Sequence, residues 1–123
     1  VRTVPTICVV DDDENVRDSL DSLLRSVGMK VCTFPSAEDF ISYTGRTDCL
    51  ITDLNMDGMD GLDLQAALRQ RGCTFPIILM TAFPTPVVRN RSLDLGASAF
   101  LTKPLDPEDL LNSVESAVEP SSH

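Results

Sequence analysis

Four short stretches of this chain end in side chains that could do chemistry together. Asp11-Asp12-Asp13 follows the apolar run ICVV at 7–10. Asp53 follows CLIT at 49–52, Thr81 follows PIILM at 76–80, and Lys103 follows SAFLT at 98–102. Clustered carboxylates make a hard-oxygen site that suits Mg²⁺, which takes one or two carboxylates and keeps waters for a phosphate. A carboxylate such as Asp53 can then attack phosphorus and form an aspartyl phosphate. Phosphoryl transfer asks a protein mostly for positioning and charge neutralisation. Lys103 can neutralise one phosphoryl oxygen as a point charge. Thr81 can donate a hydrogen bond to another.

Each residue alone has a plainer explanation. Asp13 and Glu14 read better as helix-capping acids, favoured by the helix dipole. A threonine at a strand end is commonplace, and a lone lysine is usually solvated. Asp53 resists this, because a carboxylate directly after an apolar strand and near other acids costs energy unless a cation intervenes. The conjunction carries the argument. One decoy is set aside: Asp53-x-Asn55-x-Asp57-Gly58 matches the first half of a calcium-binding EF-hand loop. The twelfth position of that frame, where a bidentate Glu belongs, is Leu64, and the segment before it is strand-like. NMDGMDG reads instead as a tight strand-to-helix connection.

The elements that must position these groups alternate along the chain. ICVV is followed by Val16, Leu20, Leu23, Leu24 and Val27, one apolar helix face closed by Gly28. MKVCTF at 29–34 alternates as a strand, and Ser36 with Asp39 resembles a capping box before Phe40 and Ile41. CLIT precedes a helix carrying Leu64, Ala67 and Leu68 that stops at Gly72. PIILM is the clearest strand. A weaker helix runs from Val87 to Leu95, its start confined to Pro86 or later by Pro84 and Pro86. SAFLT is the fifth strand. Asp106-Pro107 then caps a helix whose apolar face is Leu110, Leu111, Val114 and Val118. Five β-α units without a domain-sized gap predict one α/β domain with a parallel sheet covered by helices on both faces. In such a sheet, ligands bind beyond the carboxyl ends of the strands. All four chemical stretches end there.

Composition narrows the functions. The 123 residues are 42% hydrophobic, enough for a core without staples. The net charge of -9 disfavours contact with phosphate backbones, so direct nucleic-acid binding by this domain is not expected. The single histidine, His123, is the last residue, which argues against a histidine base or a His-rich metal site. Cys8, Cys32, Cys49 and Cys73 show no C-x-x-C spacing. Three of them sit in or beside strand-like runs, and they read as reduced thiols in a cytoplasmic protein. No apolar run approaches a membrane span, and no signal-peptide order is present. The missing initiator Met implies a processed chain or a segment of a longer one. No output module follows Pro120, so residues 1–120 are expected to be the domain and 121–123 a tail or the start of a linker.

VVDDDENVRDSLDSLL, ITDLNMDGMDGLDL, PIILMTAF and GASAFLTKPLD, in this order and spacing, resemble the receiver domain of two-component response regulators. FPSAEDF and NVRDSL are similar to the receivers of nitrogen-fixation-type transcriptional regulators. The resemblance implies a flavodoxin-like doubly wound (βα)5 fold with strand order 2-1-3-4-5. It implies Asp53 as phosphoacceptor, with Lys103 pairing the phosphate. Mg²⁺, or Mn²⁺ in its place, would be held by Asp12, Asp53 and the Asn55 backbone carbonyl, and by Asp11 partly through water. Thr81 and Phe100 would be switch residues, Ala82 the small residue beside Thr81, and Asn55 and Phe83 would tune phosphate lifetime. The implied partner is a sensor histidine kinase or phosphotransfer protein. Homodimerisation would use the fourth helix, fifth strand and fifth helix.

The resemblance also implies chemistry confined to self-phosphorylation and auto-dephosphorylation, with no turnover of outside substrates. One departure stands out: Asp57 replaces a usual Pro, which is expected to loosen that turn and add negative charge. It is the sole support for the alternative, a non-phosphorylated pseudo-receiver acting as a protein-interaction module. A flavodoxin-type cofactor binder is disfavoured, because three aspartates in the first loop would repel its phosphate. A phosphatase with an aspartate nucleophile would need a D-x-D-x-T run and a cap, and the chain has neither.

Overall fold

The computed structural model describes residues 4–56 and 58–118. The Asp57 departure and the tail at 121–123 therefore lie outside the described residues. Five strands, β1 (Thr6–Val10), β2 (Lys30–Phe34), β3 (Cys49–Asp53), β4 (Ile77–Thr81) and β5 (Ala99–Thr102), alternate with five helices. The helices are α1 (Glu14–Ser26), α2 (Ala37–Ile41), α3 (Gly61–Gln70), α4 (Pro86–Asp94) and α5 (Pro107–Val118). The strands form one parallel sheet in the order β2-β1-β3-β4-β5. This is the predicted flavodoxin-like doubly wound architecture.

Period-two alternation divides the strand side chains between two apolar layers. Ile7, Val9, Ile51, Ile78 and Met80 pack against Leu20 and Leu24 of α1 and Leu110 and Val114 of α5. Cys8, Val10, Leu50, Ile77 and Leu79 pack against Ala37 and Phe40 of α2 and Leu64 and Leu68 of α3. β1, β3 and β4 are buried along their whole length, which explains their near-continuous apolar runs.

Local chemistry sets the helix starts. The Asp13 carboxylate accepts from the Asn15 N–H, and the Ser36 hydroxyl from the Asp39 N–H. Both expected caps are present. Thr85 caps α4 immediately before Pro86, so the prolines fix where that helix begins. Asp106 accepts from the Glu108 N–H at the start of α5. Gly61, in the first turn of α3, lies against the end of β3. A Cβ there would come 2.6 Å from the Asp53 carbonyl oxygen and 2.9 Å from Leu54 Cα. A side chain is excluded, and the helix can therefore pack directly on the backbone that presents Asp53.

Candidate functional site

The strand ends bring the four chemical stretches to one rim. Asp53 and Thr81 are the last residues of β3 and β4, and Asp11 and Lys103 come one residue after β1 and β5. The ladder continues past the strand ends: the Asp11 N–H donates to the Phe34 carbonyl and the Lys103 N–H to the Thr81 carbonyl. Each side chain thus leaves from a fixed backbone.

Carboxylate oxygens of Asp11, Asp12 and Asp53 all lie within 4.8 Å of one another. Asp11 is fully buried, Asp53 is 5% exposed, and Asp12 faces solvent. The Lys103 ammonium reaches between the two buried acids, 2.8 Å from Asp11 Oδ2 and 3.3 Å from Asp53 Oδ2. Asp11 Oδ1 accepts from the Asp13 N–H at 2.8 Å, and Asp53 Oδ1 from the Asn55 N–H at 3.2 Å. Burial, then the Asp11 charge, pushes the Asp53 carboxyl above its ordinary range, against the pull of Lys103 and the Asn55 N–H. For Lys103, burial alone would lower the pKa. The Asp11 hydrogen bond and the charges of Asp11 and Asp53 outweigh it, and the net shift is upward, so the ammonium stays charged.

Three carboxylates face one ammonium in this cluster, which leaves it anionic. The donors are all hard oxygens, one acid is open to solvent, and buried Asp53 resists ionisation. That set fits a divalent cation of the Mg²⁺ class.

The Thr81 hydroxyl is buried and points elsewhere. It donates to Asn55 Oδ1 at 2.5 Å and accepts from the Phe83 N–H at 3.0 Å. Phe83 itself is 74% exposed. Ala82 lines an apolar groove of about 670 Å³ that opens beside Lys103, with Leu20, Leu23, Pro104 and Leu105 among its walls. Phe100 is partly buried on β5, against the layer formed by α2 and α3.

The sequence reading misses three contributors. Arg17 donates through Nη1 to the Asp11 carbonyl at 2.7 Å, bracing the β1 end from α1. Glu38 accepts the Met59 N–H at 3.3 Å and ties α2 to the β3–α3 connection. Gly61 makes the close approach described above. Spacing within one sequence carries no signal for the first two, whereas a glycine opening a helix beside an acidic turn is a visible hint. The EF-hand frame fails in space as well: its first half leaves a strand, and Leu64 is fully buried in the core.

The family profile described as "Response regulator receiver domain" matches residues 7–115. Among curated proteins, the chain is 40% identical over 115 residues to the transcriptional regulatory protein TdiR of Thauera aromatica, covering 92% of this chain and 51% of that one. It is 35% identical to the transcriptional regulatory protein FixJ of Bradyrhizobium diazoefficiens, covering 91% and 56%. The chain spans about half the length of these relatives. Among solved structures, the crystal structure of FixJ-N superposes with a TM-score of 0.88 at 30% identity, covering 97% of each chain.

Proposed function

The chain belongs to the response regulator receiver domain family, and from that premise we propose that it accepts a phosphoryl group on Asp53 and so switches a signalling surface. The donor is the phosphohistidine of a sensor kinase or phosphotransfer protein, and the setting is the cytoplasm. No described helix is long and apolar enough to cross a membrane.

A carboxylate oxygen of Asp53 attacks phosphorus in line. The P–N bond breaks, its electron pair returns to the imidazole, and an acyl phosphate forms on Asp53. Lys103, already 3.3 Å from Asp53 Oδ2, neutralises a phosphoryl oxygen and holds Asp11 in place. Asp11, Asp12, Asp53 and the Asn55 carbonyl would hold Mg²⁺. When bound, the ion supplies charge compensation for the anionic transition state. The groove beside Lys103 has apolar walls suited to a helix of the donor protein, which must approach within reach of Asp53. Water attack on the acyl phosphate later releases inorganic phosphate, at a rate that the side chains of Asn55 and Phe83 tune.

The switch follows from where Thr81 sits. To reach a phosphoryl oxygen its hydroxyl must leave Asn55 Oδ1, and Phe100 follows it inward. Taking the active state from 1% to 99% requires about 5.5 kcal/mol of differential stabilisation. A dianion beside Lys103 and Thr81 can supply much of that.

The convergence of Asp11, Asp12, Asp53 and Lys103 carries this reading. It is tested by incubation with acetyl phosphate and intact-mass measurement. The expected result is a Mg²⁺-dependent gain of one phosphoryl group, labile to hydroxylamine and absent in Asp53→Asn. A protein that binds Mg²⁺ but takes up no phosphate would overturn it in favour of a pure interaction module.

A further inference from the structure

The phosphate chemistry leaves the cysteines unused, yet two of them are placed as a pair. Register matches Cys8 on β1 with Cys32 on β2. Register partners in a parallel ladder project to the same face. Accordingly, Cys8 is part of the layer under α2 and α3, and Cys32 packs against that layer. Neighbouring strands run about 4.8 Å apart, within the roughly 4.4–6.8 Å Cα separation that a disulfide spans. Cys49 projects to the opposite face of the sheet, in the layer under α1 and α5. Cys73 follows the end of α3 and has no register partner on a strand. All four thiols are free.

We propose that Cys8 and Cys32 are a thiol-oxidation site, a dithiol that small disulfides of the glutathione class convert reversibly to an intrachain disulfide. The two thiols have different roles. Cys32 lies on the edge strand, partly open to solvent, its sulfur 3.6 Å from the Tyr43 hydroxyl. It is the point of entry. Cys8 is fully buried, its sulfur 3.3 Å from Thr47 Oγ1. It is the resolving thiol, shielded from reagents that Cys32 can meet. Burial pushes the Cys8 thiol up to about 11, with the Thr47 hydrogen bond partly opposing it. Resolution is therefore the slow step, since the thiolate is the nucleophile.

The chemistry balances without a further reactant. The Cys32 thiolate attacks one sulfur of glutathione disulfide, forming a mixed disulfide and releasing one glutathione thiolate. Cys8 then loses its proton and attacks the Cys32 sulfur, expelling the second glutathione. Two thiols are oxidised, and the two electrons and two protons end on two glutathione molecules. The site bears on the rim because the same β1–β2 ladder ends with the Asp11 N–H donating to the Phe34 carbonyl. A covalent tie between Cys8 and Cys32 locks the strand pair that presents Asp11. Disulfides in reducing compartments are typically transient and redox-sensing, and this pair fits that use.

The test treats the reduced full chain with glutathione disulfide, alkylates the remaining thiols and maps peptides without reduction. The expected product links Cys8 to Cys32, leaves Cys49 and Cys73 alkylated, melts higher than the reduced form and reverts with dithiothreitol. Cys8→Ala should stop at a stable glutathione adduct on Cys32, and Cys32→Ser should leave Cys8 unmodified. Should the wild-type chain still carry its glutathione adduct on Cys32 at equilibrium, link Cys73 instead, or fail to react, the pairing is refuted. The wild-type map decides this even if a variant folds poorly.

Discussion

At the ends of β1, β3 and β5 the rim holds two buried acids against one half-buried ammonium, whereas at β4 and α4 it holds one hydroxyl against an exposed amide. Asp11, Asp53 and Lys103 are tied by contacts of 2.8 and 3.3 Å and by backbone donors. Behind them α1 is capped by Asp13, braced to Asp11 through Arg17, and buries Leu20 and Leu24. On the other side α4 buries only Ser92 among its residues, and Val87 stands 76% exposed. Attack on phosphorus needs charges that do not move, because misplacement costs rate directly. A switch needs a segment with little apolar area holding it, so that one new ligand can shift it. On the proposed function, the two halves of the rim would divide these requirements between them.

The sharpest way to break this division is at Lys103. Lys103→Met leaves Asp11 and Asp53 unscreened and, on the proposed function, removes the donor that would meet the phosphoryl group. Phosphate uptake from acetyl phosphate should slow by about 100-fold or more. Thr81→Ala, on the movable side, should slow uptake less than about tenfold, since it removes one neutral hydrogen bond. Equal losses in the two variants, read by mass against time, would erase the distinction.

Gly61→Ala probes the rigidity of the fixed half by another route. The added methyl meets Asp53 and Leu54 backbone, which cannot swing aside. A loss of about 2 kcal/mol in urea unfolding is expected, accompanied by slower phosphate uptake because Asp53 is displaced. Normal uptake in a destabilised variant would show that the end of β3 tolerates movement.

Asp53→Asn sharpens the comparison through stability. Burial and the Asp11 charge raise the Asp53 pKa above 3.8, so the folded chain binds this proton more tightly than the unfolded chain. The stabilising contribution is whole below pH 3.8 and is lost as pH rises through the raised value. At neutral pH and without a cation, ionised Asp53 is a net cost. Asp53→Asn should therefore melt higher than the wild type in chelator at pH 7, and the gap should close on acidification. Mg²⁺ should close it from the other side, stabilising the wild type by about 2.7 kcal/mol at a hundredfold excess over Kd.

In both halves the sequence announces where the rim side chains stand, but not the contacts that hold them. Continuous apolar runs ending in Asp11, Asp53, Thr81 and Lys103 are what a parallel sheet with a functional rim requires, and the ends of β1, β3, β4 and β5 fall within a residue of where the runs predict. Asp13, Ser36 and Asp106 cap by local chemistry alone, which is why they too can be read directly. Arg17 and Glu38 cannot, because their partners are a carbonyl and an N–H whose positions exist only after the sheet closes. The hold on Thr81 is illegible for the same reason. Asn55 and Thr81 are 26 residues apart in sequence, and nothing in either segment says that the hydroxyl turns toward the amide.

That hold gives the smallest and most specific expected effect. Asn55→Ala removes the acceptor at 2.5 Å from the Thr81 hydroxyl but keeps the backbone carbonyl and the N–H that donates to Asp53. Mg²⁺ affinity and the attack step should therefore change little. On the proposed function, what changes is the resting equilibrium, because a hydroxyl that has lost its acceptor and keeps only the Phe83 N–H is held less firmly in its resting position. One neutral hydrogen bond is worth about 1 kcal/mol, or about a fivefold shift in population. The backbone amide resonances of Thr81 and Phe100 in the unphosphorylated variant should move toward their positions in the beryllofluoride-bound wild type. If they stay at the wild-type resting values, the Asn55 side chain does not set the switch, and the looseness of the β4–α4 half lies in the poor packing of α4 instead.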